Sequence, residues 1–181
     1  SKAAQESVAV CYWRTFGVPV VIANAMNCIG ERQHPEKFLP MVIHAVLRDQ
    51  TVPIHASEAG VSGSRNYLHA RTYSDACRWL IERNQVAQYG ADVARPDRWN
   101  IPGSKRLSNI TFAERIAEII GKPLRYQIAD GNLSRPGHDL HYGLDGRKIA
   151  AAGWAPPIDF DVSLKKTIRW YLHNPAWLEI K

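Results

Sequence analysis

The run VPVVIANA at residues 18–25 constrains the fold of this chain more than any other segment. It is nearly continuous in aliphatic residues, which is typical of a strand buried on both faces of a parallel sheet. Apolar residues recur at helical spacing through 1–16, and Gly17 is a natural helix end. A helix, a tight turn and a buried strand form the second half of a βαβ unit, so we expect the first strand of that unit upstream.

Helical and extended patterns alternate through the rest of the chain. This alternation predicts an α/β fold and argues against a helical bundle or a β-sandwich. The length of 181 residues corresponds to about one domain. The further helices are predicted at 35–49, 73–84, 108–122, 145–154 and 161–175, and the further strands at 51–56, 65–70 and 123–130.

Charge and composition exclude several classes of protein. The formal net charge of +6 permits an anionic partner, but the basic residues are scattered, so we expect no nucleic-acid module. No apolar run approaches the roughly 18 residues of a membrane span, and the first residues lack the apolar core of a secretion signal. Cys11, Cys28 and Cys77 have no metal or redox spacing, which indicates a reducing compartment. We therefore expect a cytoplasmic protein with no metal, no membrane partner and no nucleic-acid partner.

Two familiar nucleotide motifs are missing from the sequence. No glycine-rich turn follows a strand and opens a helix, so the chain has neither a dinucleotide fingerprint nor a P-loop. The stretch RPGHDLHYGLDGRK at 135–148 is unusual in another way, because it is rich in charged and histidine residues and follows neither a helical nor a strand period. It is either a solvated surface turn or a ligand-binding loop.

Motifs in the right order along nearly the whole chain resemble the nucleotide-sugar 4,6-dehydratases of the extended short-chain dehydrogenase family. The resemblance implies the C-terminal half of such an enzyme, without the N-terminal half that holds the glycine fingerprint. The matching pieces are SK at 1–2, RTFGVP at 14–19, NAMNCIG at 24–30, HPEKFLP at 34–40, RNYLHARTYSDACRWL at 65–80, WNIPGSKRLSN at 99–109, RPGHDLHYGLD at 135–145 and AAAGWAPPIDFDVSLKKTIRWYL at 150–172.

The resemblance also implies a domain organisation. Residues 1–26 would be the last helix and strand of a Rossmann-type doubly wound domain, and 27–181 a small α/β domain that binds a nucleotide sugar. Residues 65–83 would pack back on the Rossmann part. The first helix would pair with its copy in a homodimer. Trp170 and Tyr171, near the end of the chain, are interpreted as packing residues.

The resemblance assigns Lys2 to catalysis and to NAD. In the family this lysine lies beside the nicotinamide ribose and lowers the pKa of a catalytic tyrosine. Read alone, Lys2 is a terminal charge, and this is the simpler interpretation for the isolated chain. Asn24, Ala25 and Asn27, at the end of the predicted strand, would complete the cofactor contacts of this chain. Without the other half, we expect no stable NAD binding and no turnover.

The other matched residues would bind a nucleoside-diphosphate sugar, whose two negative charges need cationic and amide donors at close range. Asn109 has an alternative role as a helix cap. The base and the sugar stay open, and so do two other functions: a nucleotide-sugar 4-epimerase fragment, or a truncated protein that only binds or dimerises. The residues assigned to the substrate are Asn27, Lys37, Arg65, Asn109, Arg135 and His138.

Overall fold

The computed structural model describes residues 2–57, 60–83, 95–130 and 140–179. Within them, helices and strands alternate along the chain, and no described helix is both long and apolar enough to cross a membrane. The helices are α1 (Lys2–Phe16), α2 (Phe38–Leu47), α3 (Ala70–Glu82), α4 (Asn109–Ile120), α5 (Arg147–Ala151), α6 (Phe160–His173) and a final 3₁₀ helix (Pro175–Leu178). The strands are β1 (Val21–Ala25), β2 (Cys28–Ile29), β3 (Val52–Ala56), β4 (Ser64–His69), β5 (Asp97–Ile101), β6 (Lys105–Ser108) and β7 (Tyr126–Asp130).

The chain divides into two compact units, each made of three separate segments. Unit 1 is built around the parallel pair of β1 and β5, in which Ala23 lies opposite Trp99. Its core is aromatic and aliphatic, with Trp13 and Leu80 fully buried. The segments of unit 1 are Ser1–Ala25, Arg71–Pro102 and Leu144–Pro157, and those of unit 2 are Met26–Ala70, Gly103–Gly143 and Ile158–Lys181.

Unit 2 holds the larger core. Strand β4 lies between β2, with which it is parallel, and β6, with which it is antiparallel, while β3 and β7 form a second parallel pair. Helices α2, α4 and α6 supply the apolar side chains that pack in this core, because each carries buried residues at helical spacing. The core includes Leu39, Val42, Ile43, Phe112, Ile116, Leu164, Ile168 and Tyr171.

The predicted α/β class is confirmed, and so are the ends of two helices. Gly17 and Gly121 both adopt the left-handed conformation directly after α1 and α4. The sequence prediction missed β5 and β6, which are polar in sequence and become strands by pairing with distant partners. By their contacts, three segments of the chain contribute to each of the two units.

Candidate functional site

A cleft of about 490 Å³ lies in unit 2, and four residues predicted to bind the substrate line it. They come from separate elements, because Asn27 precedes β2, Lys37 precedes α2, Arg65 lies in β4 and Asn109 begins α4. The cleft is also lined by Phe38, Met41, Pro53, His55, Gly63, Tyr67 and Tyr142. We refer to this cavity below as the cleft.

Arg65 is held firmly at the cleft. Its side chain follows the alternation of β4, so that Arg65 and Tyr67 share one face of the strand. Its Nη1 atom donates hydrogen bonds to the carbonyl oxygens of Ser64, at 2.7 Å, and Leu140, at 2.9 Å. The residue is only 6% exposed. A buried guanidinium fixed in this way is preorganised for a planar anionic group.

Asn27 and Tyr142 are linked by a short hydrogen bond, in which the Tyr142 hydroxyl donates to Asn27 Oδ1. The Asn27 backbone is also fixed, because its carbonyl accepts a hydrogen bond from the Leu68 amide at 3.0 Å. With the side-chain oxygen acting as acceptor, the Asn27 amide nitrogen is the end of the group that can donate to a ligand.

Asn109 is not the cap of α4. The Ser108 hydroxyl accepts the hydrogen bond from the Thr111 amide at 2.9 Å, which makes Ser108 the cap. The Asn109 side chain instead accepts a hydrogen bond from the Tyr67 hydroxyl at 3.2 Å. Burial raises the pKa of Tyr67 far above its ordinary value, so this hydroxyl stays protonated and remains a donor. The Asn109 amide nitrogen is thereby oriented as a donor.

Lys37 occupies the N-cap position of α2 in an extended conformation. Its backbone amide donates to the His34 carbonyl at 2.9 Å, which fixes the main chain. Its side chain is exposed, and within the described ranges its ammonium has no ion pair. An anionic ligand is favoured by the Lys37 charge and also by the free backbone amides at the N-terminus of the helix.

Both polar and apolar residues line the cleft. Arg65 and Lys37 supply two positive charges against one negative charge from Glu36, and the carboxamides of Asn27 and Asn109 add neutral donors. The apolar lining residues include Phe38, Met41 and Pro53. Such a cavity can bind an anion that carries a flat apolar group.

Three of the remaining predicted residues, Lys2, Asn24 and Ala25, are not among those that line this cleft. Lys2 is exposed in the first turn of α1, and Asn24 and Ala25 end β1, all in unit 1. The Asn24 amide donates to Asn100 Oδ1 at 3.2 Å. Arg135 and His138 lie outside the described residues, as do the other residues of 135–139 in the stretch that the sequence singled out.

Sequence reasoning missed two tyrosines of the cleft. Tyr67 could have been found from the alternation of β4, because it lies two residues after Arg65 and therefore shares its face. Tyr142 lies inside the matched motif at 135–145, but only its neighbours Arg135 and His138 were assigned. Among the described residues, no three His, Cys, Asp or Glu side chains form a group that could hold a metal ion.

Comparison with known proteins shows the class to which this fold and cleft belong. Residues 1–101 match the NAD dependent epimerase/dehydratase family, and the chain is a member of that family.

Its relatives include several dTDP-glucose 4,6-dehydratases. The probable dTDP-glucose 4,6-dehydratase of Sinorhizobium fredii is 32% identical over 184 residues, covering 98% of this chain and 49% of the relative. The dTDP-glucose 4,6-dehydratase 1 of Escherichia coli is 29% identical over 189 residues, covering 99% of this chain and 48% of the relative. The chain therefore spans about half the length of the curated relatives that it matches.

Solved structures agree with the sequence relatives. The dTDP-glucose 4,6-dehydratase of Streptomyces venezuelae, crystallised with NAD and TYD bound, has a TM-score of 0.78 and 30% identity over 98% of this chain and 51% of its own. The UDP-glucose 4-epimerase of Thermus thermophilus in complex with NAD also has a TM-score of 0.78, at 22% identity over 94% of this chain and 52% of its own. The second likeness shows the fold alone. The resemblance stated from the motifs is confirmed, and the full-length relatives bind NAD.

Proposed function

We propose that this chain supplies the nucleotide-sugar-binding part of an NAD-dependent nucleotide-sugar 4,6-dehydratase, and that the cleft holds the diphosphate of its substrate. One observation carries the proposal: Asn27, Lys37, Arg65 and Asn109 are far apart in sequence and line one cavity. A role in packing would not require two cations and two carboxamides to converge.

The chemistry of the four groups supports a diphosphate. Arg65 offers a fixed planar fork and Lys37 a mobile point charge, which together match a dianion. Asn27 and Asn109 donate without adding charge, so the site does not need a third cation. The apolar lining residues of the cleft would cover a flat base. Arg135 and His138, which follow in the matched motif, would close the nucleotide end.

For the whole protein, we propose oxidation of the sugar at C4, loss of water across C5–C6 and return of hydride to C6. NAD would supply the hydride acceptor and donor. Toward that cofactor, this chain offers Lys2 and the end of β1, but its sequence has no glycine-rich turn for a dinucleotide. The residues of this chain therefore fit only the nicotinamide side of NAD. These 181 residues alone should neither bind NAD stably nor turn over substrate.

Isothermal titration calorimetry with dTDP, UDP and their glucose derivatives tests the proposal. We expect binding by the chain, and a loss of at least about tenfold in Lys37→Ala, in line with removal of a charged donor. Lys166→Ala removes an exposed lysine of α6 and should bind as the parent does. Equal affinity in the two variants would refute a diphosphate in the cleft.

The same titration separates the alternatives. A clear preference for UDP sugars would favour a nucleotide-sugar 4-epimerase, whose substrate carries the same diphosphate. A folded chain that binds no nucleotide would leave a structural or dimerisation role. Retention on a polyanion column that falls steeply with salt, without competition by nucleotide, would indicate nucleic-acid binding instead.

We also propose a homodimer through α1. Val8, Tyr12 and Phe16 lie on one face of this helix and are 56%, 54% and 69% exposed. The rings of Tyr12 and Phe16 contact each other at a centroid distance of 5.4 Å. A second copy of α1 would bury this stripe by matching it against itself, as twofold symmetry requires.

A further inference from the structure

The loop 30–37 connects Asn27 and Lys37, which are the closest in sequence of the four residues proposed to bind the diphosphate. Asn27 precedes β2, the loop follows β2, and Lys37 ends the loop at the start of α2. The spacing between Asn27 and Lys37 across the cleft therefore depends on the course of this loop. Three successive loop residues make contacts outside the loop. Gln33 contacts α6, Arg32 contacts the final 3₁₀ helix, and Glu31 contacts a histidine side chain that in turn contacts α6.

Tyr171 of α6 makes the central contact. Its ring is fully buried, and its hydroxyl oxygen accepts a hydrogen bond from the Gln33 amide at 2.9 Å. The same hydroxyl lies 3.2 Å from the Gly30 carbonyl oxygen and 3.3 Å from that of Gln33. Its single proton is therefore donated to one of these two oxygens. Burial raises the pKa of Tyr171, which keeps that proton in place.

The residues before Gln33 are anchored as well. Arg32 has a φ of 62°, a left-handed conformation that is unfavourable for a residue with a Cβ atom, and its guanidinium carbon lies 5.9 Å from the ring centroid of Trp177. Glu31 Oε2 lies 3.6 Å from His69 Nε2, and His69 in turn contacts the Thr167 hydroxyl at 3.1 Å. The loop is thus held in one conformation by contacts that the loop cannot make by itself.

We infer that Tyr171 is a positioning residue for the cleft: its buried hydroxyl fixes the loop 30–37 and so sets where Lys37 stands relative to Asn27. The inference rests on the proposed function, since it assigns Tyr171 to the same diphosphate site. Tyr171 acts through the loop, and it is not one of the residues that line the cleft.

Tyr171→Phe removes only the hydroxyl and keeps the packed ring. Calorimetry with dTDP should give an affinity about five- to tenfold weaker than that of the parent, the effect of one misplaced charged donor. In the Lys37→Ala background the same change should have little further effect, because the loop then carries no cation to position. Amide hydrogen exchange at Gln33 should also become faster.

Ile168→Val is the matched control, because it alters a fully buried residue of the same helix that lies in the apolar core. It should lower the melting temperature by about 2–4 °C and leave dTDP binding unchanged. If Tyr171→Phe fails to fold, Trp177→Ala replaces it, since Trp177 is partly exposed and holds Arg32 from the same side.

The outcomes separate the two proposals. Binding that is lost in Lys37→Ala but unchanged in Tyr171→Phe, or in Trp177→Ala if that variant is used, overturns the positioning role and leaves the diphosphate site intact. Additive losses in the double variant also overturn it, since they mean that Tyr171 acts on general stability. A parent chain that binds no nucleotide diphosphate removes the site, and with it the positioning role.

Discussion

The guanidinium carbon of Arg65 lies 4.5 Å from the centroid of the Tyr142 ring, and the Tyr142 hydroxyl donates a hydrogen bond to Asn27. A single side chain therefore contacts two of the residues proposed to hold the diphosphate. The ring stabilises the cation through its electron-rich face, and the hydroxyl orients the carboxamide.

This arrangement predicts a graded loss of nucleotide binding. Tyr142→Phe keeps the ring below Arg65 and loses the hydroxyl, so dTDP affinity should fall about three- to tenfold by calorimetry. Tyr142→Leu loses both contacts and should bind more weakly still. Tyr126→Phe, which changes a partly exposed tyrosine of β7 outside the cleft, should bind as the parent does. Equal affinities for all three variants would contradict the role of Tyr142.

Ser108 and Asn109 are neighbours with separable roles. Ser108→Ala removes the cap of α4 and should lower the free energy of unfolding by about 1 kcal/mol, measured by urea denaturation, with dTDP affinity retained. Asn109→Ala should do the reverse and weaken binding while the cap stays in place. Ser104→Ala, at an exposed position without a cap, should change stability by less than about 0.5 kcal/mol. If Ser104→Ala lowered the free energy of unfolding as much as Ser108→Ala, the lost cap would not be the cause of the destabilisation.

Gly103 allows two backbone segments to approach closely. A Cβ atom at this position would lie 2.2 Å from the Tyr67 carbonyl oxygen, and main-chain atoms cannot move aside as a flexible side chain can. Gly103→Ala should therefore lower the free energy of unfolding by about 3 kcal/mol or more. The control is Gly143→Ala, whose Cβ would meet only the Asn66 side chain at 3.6 Å. Thermal melts compare the stability of the two variants, and similar melting temperatures would contradict the predicted difference between them.

Asp161 makes the stability of unit 2 depend on pH. A hydrogen bond from Lys105 holds the pKa of this carboxyl below its ordinary value, and the Arg115 guanidinium beside it acts in the same direction. A carboxyl with a lowered folded-state pKa stabilises the fold above its unfolded pKa, and this stabilisation is lost as the pH falls through the folded pKa.

Asp161→Asn should thus lower the free energy of unfolding near neutral pH by about 0.5–1 kcal/mol, since the pair is partly exposed. The difference from the parent should vanish as the pH falls below about 4. Urea titrations at several pH values measure it. Glu114→Gln removes an exposed carboxylate that has no ion pair within the described part of the chain, and should show no such dependence. A difference that grows toward acid pH would contradict the sign of the shift.

The α1 stripe predicts a dependence of oligomeric state on Val8. Val8→Asp places a charge on the exposed apolar face and should shift a dimer to a monomer in sedimentation velocity. Ser7→Asp adds the same charge at an exposed, polar position on another face of the helix and should leave the dimer intact. A parent chain that sediments as a monomer would refute the proposed dimer.

The parts of the fold that depend on local chemistry could be predicted from the sequence. Helix α4 begins after Ser108 and ends before Gly121 because a hydroxyl cap and a left-handed glycine determine its ends within a few residues. Strands β5 and β6 could not be predicted in the same way. The sequence KRLS at Lys105–Ser108 has no clear apolar alternation, and it is extended because it pairs with β4.

In the cleft, too, some residues could be predicted from the sequence and others could not. Arg65 and Asn109 could be predicted because motifs keep their neighbours in order along the chain. The hydroxyl of Tyr171 could not, since the sequence predicts only that such a residue is buried. Its partners, Gly30 and Gln33, lie 141 and 138 residues earlier in the sequence, and only the folded chain brings them together.

The interleaving of the two units limits how this protein can be dissected or recombined. The chain passes from one unit to the other after residues 25, 70, 102, 143 and 157, so no single cut releases either unit whole. A gene fragment that ends after residue 70, 102 or 143 would express incomplete pieces of both units. Moving unit 2, which contains the cleft, into another scaffold would consequently require the transfer of its three segments together, and recombination at a single junction could not move it as a module.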